Sequence, residues 1–540
     1  MYALLAVLPI LTALILMMGF KIKPGISLLI SWLITAISGF IFWKMSFTVL
    51  AAASLVGVSK AVDIILIIFG AVLLLNVQKQ QGALLAINHS FRGLSKDRRI
   101  QVLLIAWLFS GLLEGAAGFG AAPSIVASFL VGLGFPALSA VAVGLIGNTL
   151  PVPYGGVGIP SVTLYRTLET DLQQMNISPV GFNQQFTDTF TTISGISGLL
   201  IPFGCVVMVI MLSRQTRKLR SILEILPLSI VAGLAYIIPW RLTALYLGPE
   251  LPSIIGAIVG LPIFILFLKM KWFVPKHVWD FPENEITVSD EAETSDTPLM
   301  PAWKAWLPYI MLAVLLLLTR NEYLPFREWL KEYGTFYVPH IFHVEHTDVA
   351  FNVLYNPGFF PFCFIAGFLI CKGRKSNNWK TELIVVWSTA KQLFSAGLAI
   401  FMAFAMVQLM IFSAYVNPEF PGMLTCIATE LTKIMGSCYL IAAQFLGVFG
   451  SFFGGSCTVS NILFASLQFH SAQALKLPAD VVLALQNTGS GLGGMIRISG
   501  VIASCAAVKI GNKTGDVLLL NLIPVVVFSI LTLITALFCC

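Results

Sequence analysis

The run Leu112-Leu113-Glu114-Gly115-Ala116-Ala117-Gly118-Phe119-Gly120 places a carboxylate inside a long, apolar, glycine-rich stretch. A charged side chain at the centre of a membrane helix costs about 2.5–3.5 kcal/mol on translocon scales, so it usually faces a cavity, a partner or a proton pathway. Neighbouring glycines let backbones approach closely and let the helix break. Broken helices near the membrane midplane form the binding sites of many secondary transporters. The run therefore predicts a functional site at Glu114 that includes Gly118 and Gly120.

The composition identifies the fold class. The chain has 540 residues, of which 57% are hydrophobic and 11% are charged, whereas soluble domains have about 45–50% and about 25%. The apolar stretches are long and continuous, which excludes the short alternating segments of a β-barrel. They predict an all-α, polytopic membrane protein of about 12–14 transmembrane helices, several of them broken or re-entrant. The net charge of +7 is spread over loops without a nucleic-acid-binding motif, so we expect no nucleic-acid partner.

The charges in the loops predict the orientation of the chain in the membrane. Basic residues cluster in four stretches, which the positive-inside rule assigns to the cytoplasm: 79–99, 214–220, 269–276 and 372–380. The acidic stretch 283–296 is assigned to a flexible cytoplasmic loop. The stretches 166–188 and 320–356 are predicted to face outward, and Lys60 is an exception on that side.

The chain also repeats itself at offsets of 336 to 340 residues. Three blocks recur in the same order: Gly82–Leu85 and Gly422–Thr425, Gly111–Leu130 and Gly447–Leu467, Asn148-Thr149 and Asn487-Thr488. Shared apolar composition is the alternative explanation. The linker between the first two blocks is strongly basic in the first copy, whereas in the second copy it lacks lysine and arginine. This difference predicts that the two copies are inverted.

The repeat suggests a division of the chain into five parts. These are N-terminal helices (1–59), a first transport repeat (60–160), linking helices with external loops near 161–189 and 320–356 (161–389), a second transport repeat (390–505) and a C-terminal helix (506–540).

Polar residues beside the predicted helix breaks are the candidates for a binding site. The proline-rich stretch 148–160 cannot form a regular helix, and unpaired peptide groups at that depth require a cavity or protein partners. Hydroxyls, amides and helix N-termini suit a small hydroxylated anion, although tight helix packing through small residues is an alternative. The candidates are Asn148, Thr149, Gly455, Ser456, Thr458, Ser460, Asn461, Asn487 and Thr488.

Other charged residues have more than one interpretation. Arg497 is a candidate for binding a carboxylate through two parallel hydrogen bonds, or for pairing with a buried acid. Asp63 is a second candidate for proton coupling, but Lys60, three residues before it, offers simple neutralisation. Glu430 and Lys433 have the same spacing. The cluster from His340 to Asp348 has metal-ligand residue types but no known ligand spacing, and a solvated loop is favoured.

At these motifs the chain resembles the L-lactate permease family of bacterial membrane carriers. The matching residues are 113–120, 131–135, Asn148-Thr149 with Pro151-Val152, 158–160, 248–252, 305–308, and Gly455-Ser456 with Thr458, Ser460 and Asn461. The resemblance implies uptake of lactate, and in some members glycolate, together with protons. Three features depart from the family pattern: Cys457 where an asparagine is expected, Ser490 in place of a glycine, and the stretch 497–500.

The sequence thus predicts a multi-pass secondary transporter of the bacterial inner membrane that imports a short 2-hydroxy monocarboxylate with protons and needs no cofactor. Glu114 and Asp63 are the predicted proton-coupling residues. The alternative within transport is a sodium-coupled or otherwise ion-coupled carrier of a different small organic anion. A membrane-embedded enzyme is disfavoured because no cluster of His, Asp and Glu recurs inside the apolar spans. A sensor without transport is disfavoured by the repeated, broken, polar-lined spans.

Overall fold

The computed structural model describes residues 2–18, 20, 22–118, 120–213, 219–282, 300–320, 324–345, 347–373, 379–416 and 421–539. The predicted cytoplasmic stretch 283–296 lies outside these residues, as do Arg214, Arg217 and Lys218 of the basic stretch 214–220 and Arg374 and Lys375 of the basic stretch 372–380.

The first part of the chain, up to residue 269, folds into helices separated by short turns. They are α1 (Tyr2–Met18), α2 (Pro24–Ile41), α3 (Phe47–Gln80), α4 (Ala83–Arg92), α5 (Arg98–Val102), α6 (Ser110–Ala117), α7 (Ala121–Gly132), α8 (Ala137–Gly147), α9 (Gly155–Gln174), α10 (Pro179–Gly198), α11 (Ile201–Leu212), α12 (Leu219–Leu247) and α13 (Pro252–Lys269). A π-helical segment, Leu103–Phe109, joins α5 to α6, and a 3₁₀ turn, Val152–Tyr154, precedes α9.

The second part adds one small hairpin to a further set of helices. Its elements are α14 (Ala302–Arg320), α15 (Phe326–Gly334), β1 (Thr335–Val338), β2 (Val349–Asn352), α16 (Phe364–Gly373), α17 (Trp379–Phe412), α18 (Met423–Met435), α19 (Tyr439–Gly454), α20 (Cys457–Leu475), α21 (Ala479–Gly493), α22 (Ile498–Ala507) and α23 (Thr514–Leu537). Strands β1 and β2 pair antiparallel.

The helices confirm the predicted all-α membrane fold. Among the described residues, eight helices are long and apolar enough to cross a membrane, and two bent pairs raise this number to ten. Five shorter apolar helices of 10–17 residues lie where further crossings were predicted. At 1.5 Å per residue a 12-residue helix such as α7 extends about 18 Å, which is less than the hydrocarbon core of about 30 Å. Short helices of this kind are what broken or re-entrant spans require.

Helices α3 and α17 occupy equivalent positions in the two copies of the repeat, and they pack against each other antiparallel. Gly57, near the start of α3, lies against the backbone of Ala405, near the end of α17. At the opposite end of the pair, Asn76 Nδ2 donates to Thr389 Oγ1 at 2.9 Å. Equivalent helices therefore cross the membrane in opposite directions, as expected for inverted repeats.

The contacts between the two copies are reciprocal, which also indicates a two-fold relation. Helix α7 of the first copy packs on α22 of the second, and their equivalents α20 and α9 pack on each other. Helices of each copy therefore pack against helices of the other, and the interface between the two repeats runs through the centre of the molecule.

The loops meet in the groups that the charge pattern predicted. On the predicted cytoplasmic side, Arg98 Nε lies 2.8 Å from Asp280 Oδ1 and Arg99 donates to the carbonyl of Ser221 at 2.8 Å. On the predicted outer side, Tyr337 and Asp348 of the hairpin line a cavity together with Arg166 of α9. The chain is thus a multi-pass membrane protein with two distinct faces.

We predict that Gly57→Ala destabilises the protein, because the added Cβ would lie 2.6 Å from the backbone N of Ala405. Overpacking of this kind typically costs about 1–3 kcal/mol, so the thermal unfolding midpoint in detergent should fall. Gly132→Ala is the control, since nothing lies within 4 Å of the position that its Cβ would take. Equal stability of the two variants would contradict the close α3–α17 crossing.

Candidate functional site

Each copy of the repeat contains two helix breaks, and glycines form several of them. Gly118 and Gly120, with φ of +58° and +81°, separate α6 from α7. Gly455, with φ of +73°, separates α19 from α20. Such positive φ values favour glycine because a Cβ would clash with the backbone. The sequence pattern predicted these breaks correctly.

The other two breaks follow α8 and α21. The proline-rich stretch 148–158 bends the chain by 64° between α8 and the helix that follows, and Gly156, Val157 and Gly158 all have positive φ. The shorter break between α21 and α22 spans residues 494–497. Both breaks leave peptide groups that need partners within the protein.

The breaks converge on one place. A Cβ on Gly118 would lie 2.9 Å from the N atom of Gly156, so the two breaks of the first copy touch. In the second copy, Gly455 lies in the same way against Ser499, at 3.5 Å. Between the copies, Gly120 is in contact with the guanidinium of Arg497. The absence of side chains at these glycines is what allows the backbones to meet.

A small cavity of about 10 Å³ lies at this convergence. Its lining residues come from both copies of the repeat: Glu114, Gly118, Val152, Gly155, Pro160, Ser456, Cys457, Thr458 and Arg497. The cavity therefore contains one acidic and one basic side chain together with two hydroxyls and a thiol.

Glu114 is almost completely buried, with 2% of its surface exposed. Its Oε2 atom accepts a hydrogen bond from Asn148 Nδ2 at 2.9 Å, and the Oδ1 atom of Asn148 accepts one from Ser110 at 3.0 Å. Its Oε1 atom lies against Gly155, where a Cβ would approach it to 2.7 Å. One carboxylate oxygen is thus held by an amide, and the other lies beside the break that lines the cavity.

Arg497 is 3% exposed and precedes the first residue of α22. Its Nε atom is buried and has no hydrogen-bond partner among the described residues. The carboxylate of Glu114 is the acidic group whose charge acts on it. A buried guanidinium with an unused donor is costly unless a ligand or a water molecule completes its hydrogen bonds.

The N-terminus of α20 faces the same cavity. Ser456 caps this helix by accepting a hydrogen bond from the N–H of Val459 at 3.0 Å, and Cys457 and Thr458 form its first turn. Free N–H groups and the helix dipole make such an N-terminus favourable for an anion.

A second group of predicted residues forms a hydrogen-bonded network outside the lining of this cavity. Asn461 Nδ2 donates to Asn487 Oδ1 at 2.8 Å and to the carbonyl of Pro160 at 3.0 Å. Asn487 Nδ2 donates to Ser161 at 3.1 Å, and Ser490 donates to Ser460 at 2.8 Å. The network ties α20 and α21 to the segment that follows the first copy's proline-rich break.

The remaining predicted residues lie elsewhere. Thr149 and Thr488 line a separate cavity of about 20 Å³, where Thr488 Oγ1 lies 2.6 Å from Ser194 Oγ. Asp63 lines the outer cavity. Its Oδ2 atom lies 3.8 Å from Nη2 of Arg166, and the described residues contain no ion pair between Asp63 and Lys60.

The remaining charged residues considered in the sequence analysis lie away from the central cavity. Lys433 donates to Glu430 at 2.7 Å and this hydrogen bond lowers the pKa of that carboxyl. In the predicted outer loop, His340 Nδ1 lies 3.4 Å from Asp348, while His346 is outside the described residues.

The structure thus brings five predicted residues into one cavity: Glu114, Gly118, Ser456, Thr458 and Arg497. The other residues at the site were not predicted to bind substrate: Val152, Gly155, Pro160 and Cys457 line the cavity, and Ser110 and Ser161 are hydrogen-bonded to Asn148 and Asn487. Most of them neighbour a predicted residue along the chain, but nothing in the sequence shows which of them face the cavity.

The fold and the cavity define the class of protein. Inverted repeats whose broken helices meet around a buried, charged site are the architecture of secondary carriers. The sequence profile of the L-lactate permease family matches residues 2–540, so the chain belongs to that family of membrane permeases.

Several characterised or named relatives cover most of the chain. A putative L-lactate permease of Haemophilus influenzae is 27% identical over 492 residues, which is 88% of this chain and 86% of the relative. The L-lactate permease of Bacillus subtilis is 29% identical over 83% of this chain and 80% of its own length. The glycolate permease GlcA of Escherichia coli is 27% identical over 95% of this chain and 91% of its own length.

We predict that Asn487→Ala destabilises the protein by about 1–3 kcal/mol, because an amide N–H of Asn461 loses its acceptor in a buried environment. The thermal unfolding midpoint should fall accordingly. Asn512→Ala is the control, since Asn512 is exposed and surface substitutions usually change stability by less than about 0.5 kcal/mol. Similar midpoints for both variants would show that the network contributes little.

Proposed function

We propose that this protein is a secondary active transporter that imports a short 2-hydroxy monocarboxylate, L-lactate or glycolate, with protons. The observation that carries the proposal is the cavity in which Glu114 and Arg497 lie together at the four helix breaks. The names of the relatives, L-lactate permease and glycolate permease, support this class of substrate.

Charge compensation explains how such a cavity couples an anion to a proton. Without ligand, the negative charge of Glu114 balances the positive charge of Arg497. A proton on Glu114 leaves Arg497 as an uncompensated cation in a low-dielectric environment, where charges interact strongly. A carboxylate anion then restores neutrality. The empty cavity and the cavity with both proton and substrate are neutral, whereas either ligand alone leaves a buried net charge, which is unfavourable.

The lining residues match the parts of a 2-hydroxy acid. The planar guanidinium of Arg497 binds a carboxylate through two parallel hydrogen bonds, and the N-terminus of α20 adds favourable dipoles. Ser456, Thr458 and the Oε1 atom of Glu114 are available for the substrate hydroxyl. The cavity volume of about 10 Å³ is room for about one water molecule, so the cavity has to widen before even a short-chain substrate enters.

Other predicted residues act by holding this arrangement. Gly118, Gly120 and Gly455 permit the close approach of the breaks, and Asn148 orients the carboxylate of Glu114. Ser460, Asn461 and Asn487 fix the segments behind the cavity, while Thr149 and Thr488 line a neighbouring cavity. Asp63 lies in the outer cavity, where it would take part in proton access rather than in binding at the centre.

The alternative is a sodium-coupled, or otherwise ion-coupled, carrier of a different small organic anion. Backbone carbonyls at helix breaks can bind sodium, and two departures from the family pattern, Cys457 and Arg497, line the cavity. A panel of labelled short carboxylates, taken up by purified protein in liposomes with an imposed pH gradient, separates the proposals. Uptake that requires sodium and is lost in potassium would favour the alternative.

We predict that Glu114→Gln abolishes proton-driven accumulation of L-lactate but retains exchange of labelled for unlabelled substrate. The amide preserves the shape of the side chain but cannot bind and release a proton. Labelled substrate inside the liposomes should then no longer exceed the outside concentration. Normal uphill accumulation by this variant would rule out Glu114 as the coupling residue.

We predict that Arg497→Lys weakens substrate binding by about tenfold or more, because an ammonium cannot reproduce the planar fork and each charge-assisted hydrogen bond contributes about 1.5–3 kcal/mol. Binding should be measured by calorimetry or by protection against thermal unfolding. Wild-type affinity in the lysine variant would remove Arg497 from the site.

A pair of glycine variants controls for general damage at this position. Gly120→Ala places a methyl group against the guanidinium of Arg497, whereas nothing lies within 4 Å of the Cβ position at Gly436, which also has a positive φ. Both alanines strain the backbone, but only the first should weaken substrate binding.

A further inference from the structure

A buried acid–base pair lies away from the central cavity, at the opposite end of the same repeat interface. His470 Nε2, on α20, is 3.2 Å from Asp171 Oδ1, on α9. The side chains are 14% and 1% exposed. The pair therefore joins the second copy of the repeat to the first, near the C-terminal ends of both helices.

The surroundings of Asp171 are poorly suited to a lone carboxylate. Its Oδ2 atom is buried and has no hydrogen-bond partner among the described residues. Asp171 also lies in the last turn of α9, where the N–H of Met175 is bonded to its carbonyl, and a negative charge at a helix C-terminus is unfavourable. A positive charge on the neighbouring imidazole would compensate both disadvantages.

The charged groups around the pair are already engaged with other partners. Lys60 of α3, whose charge also acts on Asp171, donates to the carbonyl of Arg166 at 2.9 Å and to Thr170 at 3.2 Å. Arg166 lies 3.8 Å from both Asp63 and Glu169.

Among the described side chains, the acids on α18 and α21, two of the helices that pack on α20, also have other partners. On α18, Glu430 and Lys433 are exposed and bonded to each other. On α21, Asp480 accepts a hydrogen bond from Thr189 at 2.6 Å. Asp171 is thus the carboxylate that the described structure places against His470.

We propose that Asp171 and His470 form a second proton-binding site, which stabilises the contact between α9 and α20 at the outer end of the repeat interface. With the proton bound, an imidazolium–carboxylate pair joins the two repeats. Without it, a buried carboxylate faces a neutral ring and the contact weakens. Outside pH thereby acts on the relative position of the repeats as well as on the central site.

The site neighbours a route for protons from the predicted outer face. The residue before Asp171, Thr170, lines the outer cavity of about 350 Å³ together with Lys60, Asp63, Arg166 and Glu169. His470 does not line that cavity, but its side chain is 14% exposed, so solvent reaches the imidazole directly. The central cavity, with Glu114, has a separate lining, so the two proton sites can be altered independently.

A distance measurement tests the proposal without substrate. Spin labels at Met175 and Lys476, which follow α9 and α20, report their separation by double electron–electron resonance in protein whose label-reactive native cysteines have been replaced. The separation is measured at pH 5.5 and at pH 8, because histidine is the side chain whose charge usually changes in about this range. We expect the short-distance population of the otherwise unchanged protein to increase at pH 5.5, and this response to disappear in His470→Gln and in Asp171→Asn.

The control is His343→Gln, because His343 is exposed on the same predicted face and its loss should leave the response intact. A response retained in His470→Gln or Asp171→Asn would overturn the proposal, as would the absence of any response in the protein with both residues present. The distance response of either variant is sufficient for this test, provided that the variant folds as a monodisperse species.

A transport measurement adds the functional consequence and rests on the proposed function. In liposomes, Glu114→Gln should keep a residual dependence of labelled L-lactate exchange on outside pH, because the second proton site is intact, whereas Glu114→Gln combined with His470→Gln should lose it. If the protein does not transport L-lactate at all, the proposed function fails, and the distance measurement still judges the second proton site.

Discussion

The structure depends on compensating two charges that are buried inside a membrane protein. Glu114 and Arg497 are both almost fully buried, and neither charge would be stable alone at that depth. Their placement explains why four helix breaks have to meet. Glu114 belongs to the first copy of the repeat and Arg497 to the second, so only the convergence of the breaks brings the opposite charges to one cavity. The same charge balance provides a physical basis for coupling, because a proton and an anion that bind together leave the net charge of the cavity unchanged.

Backbone geometry is the second requirement for this arrangement. Breaking a helix exposes peptide groups that the lipid cannot satisfy, and the protein meets this demand by placing breaks against breaks. Gly118 against Gly156, and Gly455 against Ser499, are equivalent contacts in the two copies. Behind them, Asn461 and Asn487 of the second copy donate hydrogen bonds to the carbonyl of Pro160 and the hydroxyl of Ser161. The cavity is consequently lined by helix ends, and its small size reflects how closely the glycines let the backbones approach.

Several pairs of helices join the two repeats, and they lie at different places along the interface. The antiparallel pair α3 and α17 crosses the centre, and the reciprocal pairs α7–α22 and α9–α20 flank it. In the second of these pairs the interface contains Asp171 and His470. The two copies have diverged in polar residues while keeping the same breaks. A carrier can thus use its pseudo-symmetry for the change of access and its asymmetry for recognising ligand and proton.

The amino-acid sequence by itself determined the membrane-spanning helical class, the positions of the glycine and proline breaks, the repeat and the importance of Glu114. These features follow from local composition and spacing, because hydropathy, φ preferences and the cost of a buried charge act along the chain. Only the tertiary structure decided which polar residues meet. It placed Arg497 beside the Glu114 cavity, moved Thr149 and Thr488 to a neighbouring cavity, and revealed the pair of Asp171 and His470, whose members are 299 residues apart. Contacts between the repeats depend on how distant helices cross, and no local pattern encodes that geometry.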